Sequence, residues 1–150
     1  MATSTGTKIV PLVSSGTAGP LGVLHLPRLW SKVTLDANGA LPEGYDVVGS
    51  GFDAMTLGAL GLDKDEVVTY IRTSKPTYPQ FEQWILAKKG GKIDAAAVKK
   101  HNEAVLGYNH ASDKAKKMRD DMGVSHSDCM DAVTLNTLDD LHEFYKTIYG

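Results

Sequence analysis

His25, Arg28 and Lys32 stand close together around Pro27, and this grouping carries the strongest chemical signal in the chain. Proline suits the first turn of a helix, where its missing N–H would have had no partner. A helix start also holds unpaired N–H groups and a partial positive charge, so Arg28 in that turn is unfavourable unless an anion or carboxylate lies nearby. Arg28 can grip a carboxylate or phosphate through two parallel bonds, and Lys32 shares its face one turn on. His25 can exchange a proton near neutral pH. The expected chemistry is proton transfer on an anionic organic compound, of lyase, isomerase or hydrolase type. In that reading His25, Tyr45 and Asp53 form the catalytic set, and Arg28, Lys32 and Trp30 bind the ligand. A competing account pairs Arg28 with Asp36 or Asp53 and leaves His25 to cap the helix or pack in the core.

Other combinations are less specific. His126, Asp128, Cys129 and Asp131 mix donors that transition metals accept, but no second cysteine or His-x-x-x-His pattern supports them. A small thiol beside capping aspartates explains the segment, so no metal site is assigned. Cys129 could act as a nucleophile only beside a base such as His126 or His142. With no Gly-x-Ser-x-Gly elbow either, the sequence places no hydrolase triad. Gly49, Ser50 and Gly51 lack the Lys-Ser/Thr of a phosphate loop and read as a turn. His101, Asn102 and Glu103, with His110 further on, read as a solvated helix face or as the lining of an interhelical pocket. Trp84 reads as core, and Tyr45 sits in a loop, where binding residues concentrate. No cofactor is called for.

The elements that must position these groups are helical. Leu26, Leu29, Trp30, Val33 and Ala37 recur on one face before Asn38 and Gly39 end the helix. Ser50 or Asp53 can cap a short helix ending at Gly61. Asp63 with Glu66 and Thr77 with Gln80 have capping-box spacing ahead of two more helices, and Asp94 can cap a longer one. Residues 112–122 and 137–149 complete the pattern, the last with Leu138, Leu141, Tyr145 and Ile148 three and four apart and Asp139 and Asp140 in its first turn. The predicted fold is mainly α: a compact single-domain array of about six helices over residues 20–150, preceded by a flexible Thr, Ser and Gly-rich arm over residues 1–19.

Composition limits the partners. The 150 residues carry 16 Lys and Arg against 18 Asp and Glu, a net charge of −2, so no global positive field exists to hold nucleic acid. Lys114, Lys116, Lys117 and Arg119 are offset by Asp113, Asp120 and Asp121. No stretch approaches the ~20 apolar residues of a membrane span. The short patch from Ile9 to Val13, broken by Pro11, is no secretory signal, and a single cysteine fits a reducing compartment. A cytoplasmic protein is expected, bound to an anionic small molecule or to a second copy of itself. A helical interaction or oligomerisation module without catalysis is the alternative.

Residues 22–32, with His25, Leu26, Pro27 and Arg28 followed by Lys32, resemble the opening signature of the bacterial family termed domain of unknown function 5069. There a His-Leu-Pro-Arg element leads a helix with a basic residue one turn on. Leu41, Pro42 and Tyr45, then Gly51, Phe52 and Asp53, then Leu60 to Asp63, look like its second block, and Trp84 falls in its third. Residues 114–123 and 128–145 look like its C-terminal pair of elements. The resemblance spans about residues 20–148 and departs mainly from Ala95 to His110. The family has no assigned activity, so the resemblance bears on the fold and names no reaction.

Overall fold

Capping side chains set most of the helix starts. Among the described residues, 6–150 of the computed structural model, seven helices and no strand are found, so the mainly α fold is observed with seven helices rather than about six. They are α1 (Leu26–Ala37), α2 (Phe52–Leu60), α3 (Lys64–Ser74), α4 (Tyr78–Lys88), α5 (Ala95–Gly107), α6 (Ser112–Asp121) and α7 (Ala132–Tyr149). Helix α2 stands alone because Gly61 closes it in the left-handed conformation (φ 61°) and Asp63 at once accepts from Glu66 N–H to cap α3. Thr77 and Gln80 form a full reciprocal capping box on α4, and Asp94 accepts from Ala97 N–H on α5.

Two caps differ from expectation, and both differences shape the site. Neither Ser50 nor Asp53 caps α2: Gly51, which has no side chain to offer, is the N-cap, and Asp53 is turned inward. Helix α7 begins at Ala132 rather than residue 137, since Asp131 accepts from Thr134 N–H at 2.7 Å and extends the helix upstream. Asp139 and Asp140 therefore lie in mid-helix, and Asp140 is buried instead of facing the dipole.

The apolar core is built on Leu26, Leu29 and Val33 of α1, with Val67 and Ile71 of α3, Phe81 and Ile85 of α4, and Leu57 and Leu60 of α2 closing over them. Trp84 stacks on Tyr70 at 4.3 Å and packs against this core as expected. By contrast, Leu141, Tyr145 and Ile148 of α7 are exposed, together with Phe144.

Residues 1–5 of the N-terminal segment lie outside the described residues. From Ile9 the segment has no regular structure but is laid onto the helices. Ile9 N–H donates to Ala40 O at 2.8 Å, and Val10, Pro11 and Ser15 are buried. An added Cβ on Gly16 would stand 3.3 Å from Val133 Cγ1, so the strap passes close over the start of α7. A polar seam between this strap, α1, α2 and α7 results, on the side of α1 away from its apolar partners.

Candidate functional site

His25 is the N-cap of α1 and occupies the left-handed region (φ 73°, ψ −19°), which is strained for a residue other than glycine. Surrounding bonds impose that turn. His25 N–H donates to Thr17 O at 3.2 Å, and Leu29 N–H returns to His25 O at 2.9 Å. From α5, Asn102 accepts from Leu24 N–H at 3.0 Å and donates to Gly22 O at 2.7 Å, while the His101 Nε2 lies 3.0 Å from Leu24 O. His101 and Asn102 are thus the supports of the His25 turn rather than a solvated face, with His101 buried against Thr56.

The imidazole so placed is 3% exposed and bridges two elements. Its Nε2 is 2.6 Å from Asp53 Oδ1 of α2, and its Nδ1 is 2.9 Å from Ser15 Oγ of the strap. The second carboxylate oxygen of Asp53 accepts from Lys32 Nζ at 2.5 Å and from Gly49 N–H at 2.7 Å. Ser15, His25, Asp53 and Lys32 form one continuous buried line, with Phe52 edge-on to the imidazole at 5.6 Å.

The electrostatics of the line follow from its order. Burial alone would raise the Asp53 pKa, but the hydrogen bond from His25 and the Lys32 charge prevail and hold it at about 2. Burial lowers the His25 pKa. Asp53 opposes that shift, but Lys32 and Arg28 add to it, so the ring stays neutral at neutral pH. Lys32 already neutralises the carboxylate that would otherwise favour an imidazolium. A neutral base therefore sits beside a fixed carboxylate.

Arg28 has a different partner from those expected. It pairs with Asp140 of α7, Nη1 to Oδ2 at 2.6 Å and Nη2 to Oδ1 at 3.1 Å, while Asp36 pairs with Arg72. Nη1 also lies 2.9 Å from both Pro11 O and Val13 O, so the guanidinium ties strap, α1 and α7 together. Tyr45 donates to Asp140 Oδ1 at 3.0 Å, and burial with the nearby Asp140 charge raises its pKa, keeping the phenol a donor. Tyr45 serves this pair rather than the imidazole. Trp30 donates to Pro76 O at 3.2 Å and packs edge-on against Tyr78, away from His25.

A polar cleft of about 420 Å³ opens on both buried pairs and is lined by Ser15, His25, Arg28, Lys32, Tyr45 and Asp53 among others. The sequence-predicted set is thus assembled on one cavity except for Trp30. The two expected anion-binding cations, however, are each satisfied by an internal carboxylate. Among the described residues the cation of the cleft with no ion pair is Lys114 of α6; Asn136 of α7 also lines the cleft, and its Oδ1 accepts from His110 Nε2 at 3.0 Å. Asp46 and Asp139 also line the cleft, and burial followed by the charges of Glu143 and Asp140 raises the Asp139 pKa.

Sequence reasoning missed Ser15, Asp140 and Lys114. Ser15 lies in a stretch of small polar residues that reads as an arm, and only the tertiary docking of Pro11 and Val13 on Arg28 reveals it. In the segment that holds Cys129, Asp131 is used as the α7 cap and Cys129 O accepts from Arg119. Among the described residues no group of three or more His, Cys, Asp or Glu is arranged to hold a metal, and no helix is long and apolar enough to cross a membrane. No known family pattern matches the chain, and no curated protein matches it.

Proposed function

We propose that the chain is a small-molecule enzyme in which His25 transfers a proton to or from a polar organic compound bearing an anionic group. The observation that carries this reading is the buried line from Ser15 through His25 to Asp53 and Lys32, bordering a cleft large enough for a small metabolite. A neutral imidazole held by a carboxylate has the protonation state a general base needs. Its strained backbone accords with a site whose geometry is fixed by its surroundings. Lys114, in no ion pair among the described residues and lining the cleft, takes the anion-binding role that spacing alone gave to Arg28 and Lys32. The reading includes membership of the family that residues 22–32 resemble, whose His-Leu-Pro-Arg element here supplies base and strut from one helix start.

A thermal-shift titration with a panel of small mono- and dicarboxylates tests it. Wild type gains stability with ligand concentration, and Lys114→Ala loses that gain while retaining its own cooperative unfolding. No stabilisation of wild type by any member of the panel overturns the reading.

A second reading rests on the exposed stripe of Leu141, Phe144, Tyr145 and Ile148 along α7, with Leu12 exposed beside the strap carbonyls that Arg28 binds. Large apolar side chains at spacings of three and four are a face suited to a second copy of the chain. Sedimentation velocity over a range of concentrations distinguishes a dimer from a monomer, and a monomer throughout removes this reading.

A further inference from the structure

The role of Ser15 follows from where the protons in the buried line must sit. Both oxygens of Asp53 are occupied by donors: Lys32 Nζ and Gly49 N–H on Oδ2, and the imidazole on Oδ1. An ionised carboxylate can only accept, so Nε2 carries the hydrogen. A neutral imidazole has one N–H, which leaves Nδ1 with a lone pair. The Ser15 hydroxyl at 2.9 Å is therefore the donor, and its oxygen lone pairs are turned away from the ring.

We propose that Ser15 is a nucleophile, activated by His25 and oriented through Asp53, and that the chain hydrolyses monoesters of small dicarboxylic acids, whose free carboxylate meets Lys114. This deepens the proton-transfer reading and rests on it. The arrangement is that of a serine, histidine and aspartate triad with the two ring nitrogens exchanged, formed without a nucleophile elbow. As Ser15 Oγ bonds to the carbonyl carbon, its proton passes to Nδ1 and the carbonyl π pair moves onto oxygen. Collapse breaks the bond to the leaving alcohol, which takes the proton from Nδ1. Water then follows the same path: its proton goes to Nδ1, its oxygen bonds to the acyl carbon, and Ser15 leaves with the proton restored. Ester and water become acid and alcohol.

Two neighbouring features suit the tetrahedral oxygen and the acyl chain. The N-terminal N–H groups of Phe52, Asp53 and Ala54 have no acceptor among the described residues, and Gly51 and Phe52 line the cleft. Such donors at a helix start stabilise an oxyanion. A second cavity of about 410 Å³ shares Phe52, Lys114 and Asn136 with the first and adds Met55, Tyr108 and Ala132. Phe52 and Tyr108 meet edge-on at 5.6 Å there, an apolar wall for a short alkyl or aryl group.

The test uses the intact chain with mono-para-nitrophenyl adipate as substrate and an alkyl fluorophosphonate as a covalent probe. Wild type releases nitrophenolate, and mass spectrometry places one phosphonyl group on Ser15. Ser15→Ala takes no label and turnover falls by up to about 10⁶-fold, the scale of loss when a triad nucleophile is removed. Ser15→Cys, which keeps a nucleophile beside His25, is alkylated by iodoacetamide faster than Cys129. Asp53 is a positioning residue, and Asp53→Asn moves the His25 hydrogen from Nε2 to Nδ1, visible in the ring nitrogen NMR shifts. Each variant is first shown to unfold cooperatively. Labelling at any other residue, or none in wild type, overturns the nucleophile. If carboxylates still stabilise wild type through Lys114 in that case, the proton-transfer reading stands without it. If they do not, both fall.

Discussion

Helix α1 draws two carboxylates into the protein interior, one turn apart, and treats them differently. Arg28 meets Asp140 with two bonds and holds two strap carbonyls besides, and Tyr45 adds a third donor to the same acid. Among the described residues no imidazole belongs to that cluster. His25 and Lys32 meet Asp53, but one of these partners titrates, and beyond it lies a hydroxyl on the cleft wall. Burial and ion pairing are common to both places. What separates strut from candidate site is a titratable link with a free nucleophilic end, and this is why a perturbed buried pair alone is weak evidence of function.

The largest effect expected from breaking the comparison is at the strut. Arg28→Ala leaves Asp140 buried with Tyr45 as its one remaining donor among the described residues and releases Pro11 and Val13 from α1. Removing one member of a buried pair costs about 3–5 kcal/mol. Urea unfolding should show that loss in the midpoint, and a variant as stable as wild type would mean the strap is held by something other than Arg28.

Much of the fold was legible because its signals are local. The cap at Asp63, the box of Thr77 and Gln80, and the face of Leu26, Leu29 and Val33 each depend on residues within a turn or two. The site was legible only on its helical side. His25, Lys32 and Asp53 were named, but the partner of Arg28 lies 112 residues away and Ser15 sits in a segment without periodicity. Both depend on where the strap and α7 dock, which no short-range pattern encodes. The start of α7 shows how small the missing signal was. Reading Asp131 as its cap moves Asp140 from the first turn to mid-helix, within reach of α1.

A smaller effect sharpens the contrast through acid titration. The Asp53 carboxyl titrates at about 2 when folded against its ordinary value of 3.8, a depressed group whose stabilisation is complete above pH 3.8 and lost as pH falls toward about 2. At ~1.4 kcal/mol per unit the contribution is about 2 kcal/mol. His25 acts in the same direction at higher pH. Its folded pKa lies below 6.5, so its contribution is complete above pH 6.5 and declines as the unfolded chain gains a proton that the buried ring resists. Ser15, Asp53, Lys32 and Arg28 all face that ring, and only Asp53 favours its charged form. Stability should therefore fall in two stages on acidification, the first below pH 6.5 and the second below pH 3.8. In His25→Gln the first stage disappears while the second changes in depth, because Lys32 still holds Asp53. A wild-type stability that rises on acidification from pH 7 to pH 5 would mean that His25 is already charged in the folded protein, and the hydroxyl of Ser15 would then have no base to receive its proton.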